Sequence, residues 1–177
     1  MYRAKIINLI GAPGVGKSTF AARLFADMKI KNLNVELCSE FIKDKIWEES
    51  KMVLSNQLYI FASQYFKQCC VADKADFVIS DGALITEPLY NNYPEPMRSH
   101  LNLLVTDIET QFDNLYYLIS HPVNHVNGYQ DFGRLHSYEE SQEKEKILLD
   151  FLNSENIPFK TITNSELGIA LILRDLL

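Results

Sequence analysis

The stretch GAPGVGKST, Gly11 to Thr19, lies between an apolar run, KIINLI, and an alanine- and leucine-rich segment. So many glycines and a proline cannot sit inside a helix or strand without cost, so the stretch must turn the chain between two regular elements. The spacing Gly11-x-x-x-x-Gly16-Lys17-Ser18 is that of a phosphate-binding loop, the P-loop. Such a loop points successive backbone N–H groups at one anion, and the helix beginning at Lys17 adds its unpaired amides and dipole. Gly11, Ala12, Pro13, Gly14, Val15, Gly16, Lys17, Ser18 and Thr19 are therefore expected to wrap a nucleoside triphosphate. Lys17 is expected to reach the β- and γ-phosphates, and the Ser18 hydroxyl to ligate Mg²⁺. An ordinary glycine-rich turn does not require strand, loop, lysine, hydroxyl and helix in register.

The 177 residues suffice for one α/β domain with a sizeable core and are too few for two comfortable ones. No apolar run reaches the eighteen or so residues that cross a bilayer, and MYRAKIINLI leads straight into the first strand without a signal peptide. Cys38, Cys69 and Cys70 form no CxxC pair, which favours reduced thiols and a cytoplasmic location. The net charge of −6 argues against broad, sequence-independent binding of nucleic acid, though not against a local basic groove.

Runs with strand character recur at 5–10, 34–38, 76–81, 114–120 and 158–163, with helical patterns near 17–31, 39–50, 52–72, 97–112, 137–155 and 165–176. The first, third and fourth runs are continuously apolar, as in strands buried on both faces of a parallel sheet. In the 52–72 pattern, Leu54, Leu58, Phe61, Tyr65 and Cys69 form one stripe. SYEE, 137–140, reads as a capping box with Ser137 as N-cap and Glu140 reaching back. The alternation predicts an α/β chain: a three-layer P-loop NTPase fold with a five-stranded parallel sheet and helices on both faces. Residues 1–177 form a single domain, with a lid segment at about 121–136.

In such a fold ligands bind beyond the carboxyl ends of the strands. Glu40 follows the second strand and Asp81 closes the third, FVISD, as a Walker B aspartate does. Asp81 is expected to serve Mg²⁺ beside Ser18, since the metal takes hard oxygen ligands; the alternative is a strand-end Asx turn. Gly82 follows it where motor-type ATPases carry a glutamate that activates water, which favours phosphotransfer over hydrolysis. Glu40 is a candidate base or clamp for an acceptor hydroxyl, or equally a helix-start carboxylate favoured by the dipole. In GYQDFGR, 128–134, two glycines suggest a mobile loop carrying Arg134 to the transferring phosphoryl, against the alternative of a surface loop. Gln57, Gln64 and Gln68 share one helix face; amides suit the edge of a base, but a solvated face is the simpler reading. His121, His125 and His136 lack a fourth ligand at zinc spacing. No Asn-Lys-x-Asp motif marks a switch GTPase, and the chain is too short for the sensor and lid domains of an AAA+ motor.

In this order, the pieces GAPGVGKST, ELCSEFIKD, NQLYIFASQ, FVISDGALITEPLY, GYQDFGRLHSYEES and IPFKTIT resemble small P-loop kinases. The resemblance is to the ribosylnicotinamide kinase domain of bacterial nicotinamide-nucleotide regulators and to related phage-type ATP-binding proteins. Some phage proteins similar to these phosphorylate the hydroxymethyl group of 5-hydroxymethyluracil in DNA. The resemblance implies Glu40 and Asp81 at the acceptor and the metal, and Arg134 as a lid arginine. SDGALI departs from many relatives, which carry serine–proline or a second acidic group after the aspartate, and this leaves the acceptor open. The expected activity is transfer of the ATP γ-phosphoryl, with Mg²⁺, to a nucleoside, a nucleotide or a modified base in DNA. Its catalytic residues are Lys17, Glu40, Asp81 and Arg134. The alternative is a nucleotide-dependent regulatory module that hydrolyses ATP slowly.

Overall fold

The computed structural model describes residues 2–120 and 137–176. β1 (Lys5–Ile10) pairs in parallel with β3 (Phe77–Ser80) on one side and β4 (Asp113–Ile119) on the other. β2 (Val35–Cys38) and β5 (Lys160–Ile162) close the edges, giving the order β2-β3-β1-β4-β5. Every pairing is parallel, so each connection must cross over a face of the sheet. The expected five-stranded parallel sheet is present.

Period-two alternation along the central strand sorts its side chains into two cores. Ile7 and Leu9 join Phe20, Leu24 and Met28 of α1 (Lys17–Ile30), with Ile169 and Ile172 of α7 (Glu166–Leu176). Ile6 joins Phe61 of α4 (Gln57–Ala72) and Leu101, Val105 and Ile108 of α5 (Met97–Glu109) on the other face. Ile10, farther along, meets Leu148 and Leu152 of α6 (Tyr138–Ser154). α6 opens on the expected capping box: Ser137 Oγ accepts from Glu140 N at 3.2 Å, and Ser137 N donates to Glu140 Oε2 at 2.7 Å.

Two helical expectations need correction. The 39–50 and 52–72 patterns become α2 (Phe41–Trp47), the single turn α3 (Lys51–Leu54) and α4. Asn56 makes the last break, its side chain accepting from Tyr59 N at 3.0 Å as the N-cap of a new helix. The inward stripe of α4 is Ile60, Phe61, Gln64, Gln68 and Ala72, while Leu58 is exposed. Gln64 and Gln68 are thus buried and not on a solvated face. The sequence reading also missed a 3-10 helix at Leu84–Tyr90, whose Pro88 and short length give no helical period.

A buried polar knot fastens the amino-terminal end of the sheet. Asn8 Nδ2 donates to Asn114 Oδ1 at 2.8 Å, Asn114 Nδ2 donates to Glu109 Oε2 at 3.0 Å, and the Tyr116 hydroxyl also donates to Glu109 Oε2. Burial pushes the Glu109 carboxyl up to about 7, against the opposing pull of the Tyr116 hydroxyl. The unfolded chain ionises this group near its ordinary value, so it holds fewer protons than the folded chain between about pH 4.5 and 7. Stability therefore falls as pH rises through that window, by an amount on the order of 2–3 kcal/mol from this group. Glu109→Gln should flatten that part of the profile in urea unfolding followed between pH 4.5 and 7. Superimposable slopes for the variant and the parent would show that Glu109 is not the group responsible.

Candidate active site

The P-loop leaves β1 and enters α1 through backbone that only glycine serves at two points. A Cβ at Gly11 would lie 2.4 Å from the Ile119 carbonyl oxygen at the end of β4. Gly16 has φ +89°, and a Cβ there would lie 2.2 Å from Asn164 Nδ2. That close approach is used: Asn164 Nδ2 donates to Val15 O at 3.2 Å, tying the loop to the β5–α7 turn. From α6 the buried Ser141 hydroxyl donates to Pro13 O. Among the described residues no side chain caps the start of α1, whose N-cap is Gly16, so its first amides are left for an anion in the loop. Lys17 Nζ folds over the loop, donating to Gly11 O at 2.9 Å and Ala12 O at 3.2 Å.

Asp81 arrives beside this loop because β3 is hydrogen-bonded to β1, with Asn8 opposite Ser80. Its backbone N–H donates to Cys38 O at 3.0 Å, fixing the turn after the strand. The side chain is 4% exposed, and Oδ1 has no hydrogen-bond partner among the described residues. Burial raises the carboxyl above its ordinary range, while the Ser18 hydroxyl and the ammonium groups of Lys17 and Lys43 pull it back. A buried carboxylate with an orphaned oxygen next to a hydroxyl is a donor set that a small, hard cation fits. Among the described residues no group of three or more His, Cys, Asp and Glu is arranged to hold a metal.

Glu40 occupies the N-cap position of α2 but makes no side-chain cap bond. Gln64 does the capping: its Oε1 accepts from Phe41 N at 2.8 Å, and its Nε2 donates to Cys38 Sγ at 3.4 Å. The Glu40 carboxylate is thereby left to line the cleft. Burial raises its pKa foremost; Lys17 lowers it and Asp81 raises it, so the three groups share one field. Space beside them is tight at Gly82, where a Cβ would lie 3.2 Å from the Gln64 amide and 3.3 Å from Glu40 Cγ, so either side chain would have to shift.

A cleft of about 730 Å³ runs from the P-loop past Glu40 and Asp81 to Gln57, Glu87 and Tyr90. Lys17, Ser18, Glu40 and Asp81 are thus brought together around one cavity. Arg134, the three histidines and the rest of the 121–136 segment lie outside the described residues. Sequence reasoning missed several groups here. Lys43, whose Nζ donates to Ser18 Oγ at 3.2 Å, stands one helical turn beyond Glu40, and that spacing was available to be read. Ser141, Asn164 and Glu87 come from distant segments and left no local signal.

Parallel sheet, P-loop and strand-end aspartate together define an α/β P-loop NTPase fold. The chain belongs to the AAA domain family, whose model matches residues 6–166. Among solved structures it is similar to the NadR protein in complex with NR, at 15% identity and a TM-score of 0.68 over 97% of this chain. The chain spans about half of that protein, 51% of its length. It is also similar to deoxyadenosine kinase from M. mycoides with bound dATP, at 20% identity and a TM-score of 0.60, covering 97% of this chain and 98% of that one. Thymidylate kinase from Ehrlichia chaffeensis follows at 14% identity and a TM-score of 0.59, with 98% of each chain covered. No curated protein matches the chain. At these identities the likeness concerns the fold. No helix among the described residues is long and apolar enough to cross a membrane.

Proposed function

We propose that the protein is a Mg²⁺-dependent kinase that transfers the ATP γ-phosphoryl to a nucleoside-type acceptor. The observation carrying this reading is the continuity of the cleft: one cavity joins the phosphate loop to a carboxylate, Glu40, and extends well beyond it. A triphosphate switch needs no such acceptor chamber, so the cavity favours transfer over slow hydrolysis with regulatory output. The neighbours in fold, deoxyadenosine and thymidylate kinases among them, support the same class.

In this mechanism the loop amides and Lys17 would hold the β- and γ-phosphates, and Ser18 and Asp81 would hold the metal. Mg²⁺, when bound, neutralises phosphate oxygens and the charge that develops on them. The acceptor hydroxyl oxygen forms a new bond to the γ-phosphorus as the bond between that phosphorus and the bridging oxygen breaks, and ADP leaves. Glu40 takes the hydroxyl proton; its raised pKa makes it a better base than an ordinary surface carboxylate. Arg134 is assigned to the charge of the transferring phosphoryl. The test is a coupled ADP-release screen with ATP and Mg²⁺ across nucleosides, nucleotides and DNA containing 5-hydroxymethyluracil. Acceptor-dependent ADP release is the expected result. A slow rate that no acceptor raises would return the reading to a nucleotide-dependent binding module.

A further inference from the structure

Beyond Glu40 the cleft changes character, and nothing in the phosphotransfer chemistry uses the groups there. Gln57, Ile60 and Gln64 lie at helical spacing along the cleft-facing side of α4. Facing them, Glu87 projects from the 3-10 helix, and Gln57 Nε2 donates to Glu87 Oε2. Trp47 and Tyr90 line the same chamber, 62% and 41% exposed, an unusual amount of aromatic surface to leave uncovered.

We propose that the hydrogen-bonded Gln57–Glu87 pair reads the heterocycle of the acceptor, and that this chamber takes a nucleoside carrying no phosphate of its own. The proposal rests on the kinase reading and names the substrate class of that site. After bonding to Glu87, Gln57 keeps its carbonyl oxygen and one N–H, so with the carboxyl it offers an alternating donor–acceptor edge. The edges of nucleobases present such groups, and flat rings stack on Trp and Tyr faces. Burial, and the negative charge of Glu40, push the Glu87 carboxyl up to about 8. At neutral pH it therefore keeps its proton and can donate as well as accept.

Charge argues against a nucleotide acceptor. Lys17 rests on the loop carbonyls and Lys43 on Ser18, both at the phosphate end of the cleft. Lys144 also lines the cleft, and its ammonium lies over the Tyr90 ring at 5.5 Å. The carboxyls lining the chamber beyond Asp81 are Glu40 and Glu87, the first of which raises the cost of ionising the second, and no described arginine lines it. Among the described residues, a dianionic phosphate placed there meets the Glu40 carboxylate and finds no arginine to hold it in two-point contact.

The experiment compares the common ribo- and deoxyribonucleosides with their 5′-monophosphates as acceptors, using the parent, Gln57→Ala, Glu87→Ala and Glu87→Gln. ADP binding by calorimetry confirms that each variant is folded. The expected result is transfer to at least one nucleoside, preferred over its monophosphate by about tenfold or more, the ratio one well-made hydrogen bond or ion pair decides. Both alanine variants should raise the nucleoside KM by about tenfold and alter the ranking of bases, with kcat less affected. Glu87→Gln keeps one donor and one acceptor and should stay near the parent. Preference for monophosphates, or alanine variants with the parent's KM and ranking, overturns the proposal. If no compound accepts a phosphoryl group, the kinase reading has failed, and calorimetry of nucleosides with ADP present then decides the subsite. Nucleoside binding weakened by Glu87→Ala upholds it, and the absence of binding overturns it.

Discussion

Lys17→Ala reduces phosphoryl transfer by about 10²–10³-fold or more, the loss seen when one preorganised donor to developing charge is removed. The lysine is partly exposed and its only described bonds go to the carbonyls of Gly11 and Ala12, so nothing in the core depends on it. The melting temperature should move little. Lys43 cannot take over from its place on Ser18, because that contact holds its charge away from the loop carbonyls that Lys17 covers. Steady-state kinetics with the identified acceptor, paired with thermal unfolding, makes the check. A folded variant retaining the parent's turnover would remove the phosphate loop from the mechanism.

Asp81→Asn should produce opposite effects on function and stability. The change keeps shape and removes charge, so a metal that needs an anionic oxygen loses about 10–100-fold in affinity, and Mg²⁺-supported turnover falls with it. Nucleotide binding measured without metal should change far less. Burial makes the ionised carboxylate costly, and one of its oxygens is unpartnered, so the metal-free variant should melt higher than the parent. A residue that merely capped a turn would show the reverse: lower stability and an unchanged magnesium titration. Superimposed Mg²⁺ titrations would assign Asp81 to structure.

The sheet could be read from the sequence because its central strands, β1 and β3, are buried on both faces, and continuous apolar runs such as KIINLI need no long-range information. The P-loop could be read because its backbone demands glycine at fixed spacing. Glu40 and Asp81 followed from the rule that ligands gather beyond strand ends, and the structure does place them on one cleft with Lys17 and Ser18. What failed depended on partners far along the chain. Gln64 looked solvated because its amide partner, the N–H of Phe41, lies twenty-three residues away. Helix 52–72 looked continuous because an Asn cap is a weak signal set against a sustained apolar period. The 3-10 helix that carries Glu87 has neither the length nor the period to announce itself, and that wall of the cleft went unseen with it.

The pairing of Asn8 with Ser80 across β1 and β3 carries a consequence for how the protein tolerates change. The spacing between the phosphate loop and Asp81 is set by main-chain hydrogen bonds, and a parallel ladder admits no slip smaller than a residue, which would turn the aspartate to the opposite face. Trimming a core side chain beneath it, as in Val78→Ala, therefore lowers the fraction of molecules that are folded without retuning those that remain. Damage to this chain should be all-or-none for each molecule: fewer working copies, each working at full rate.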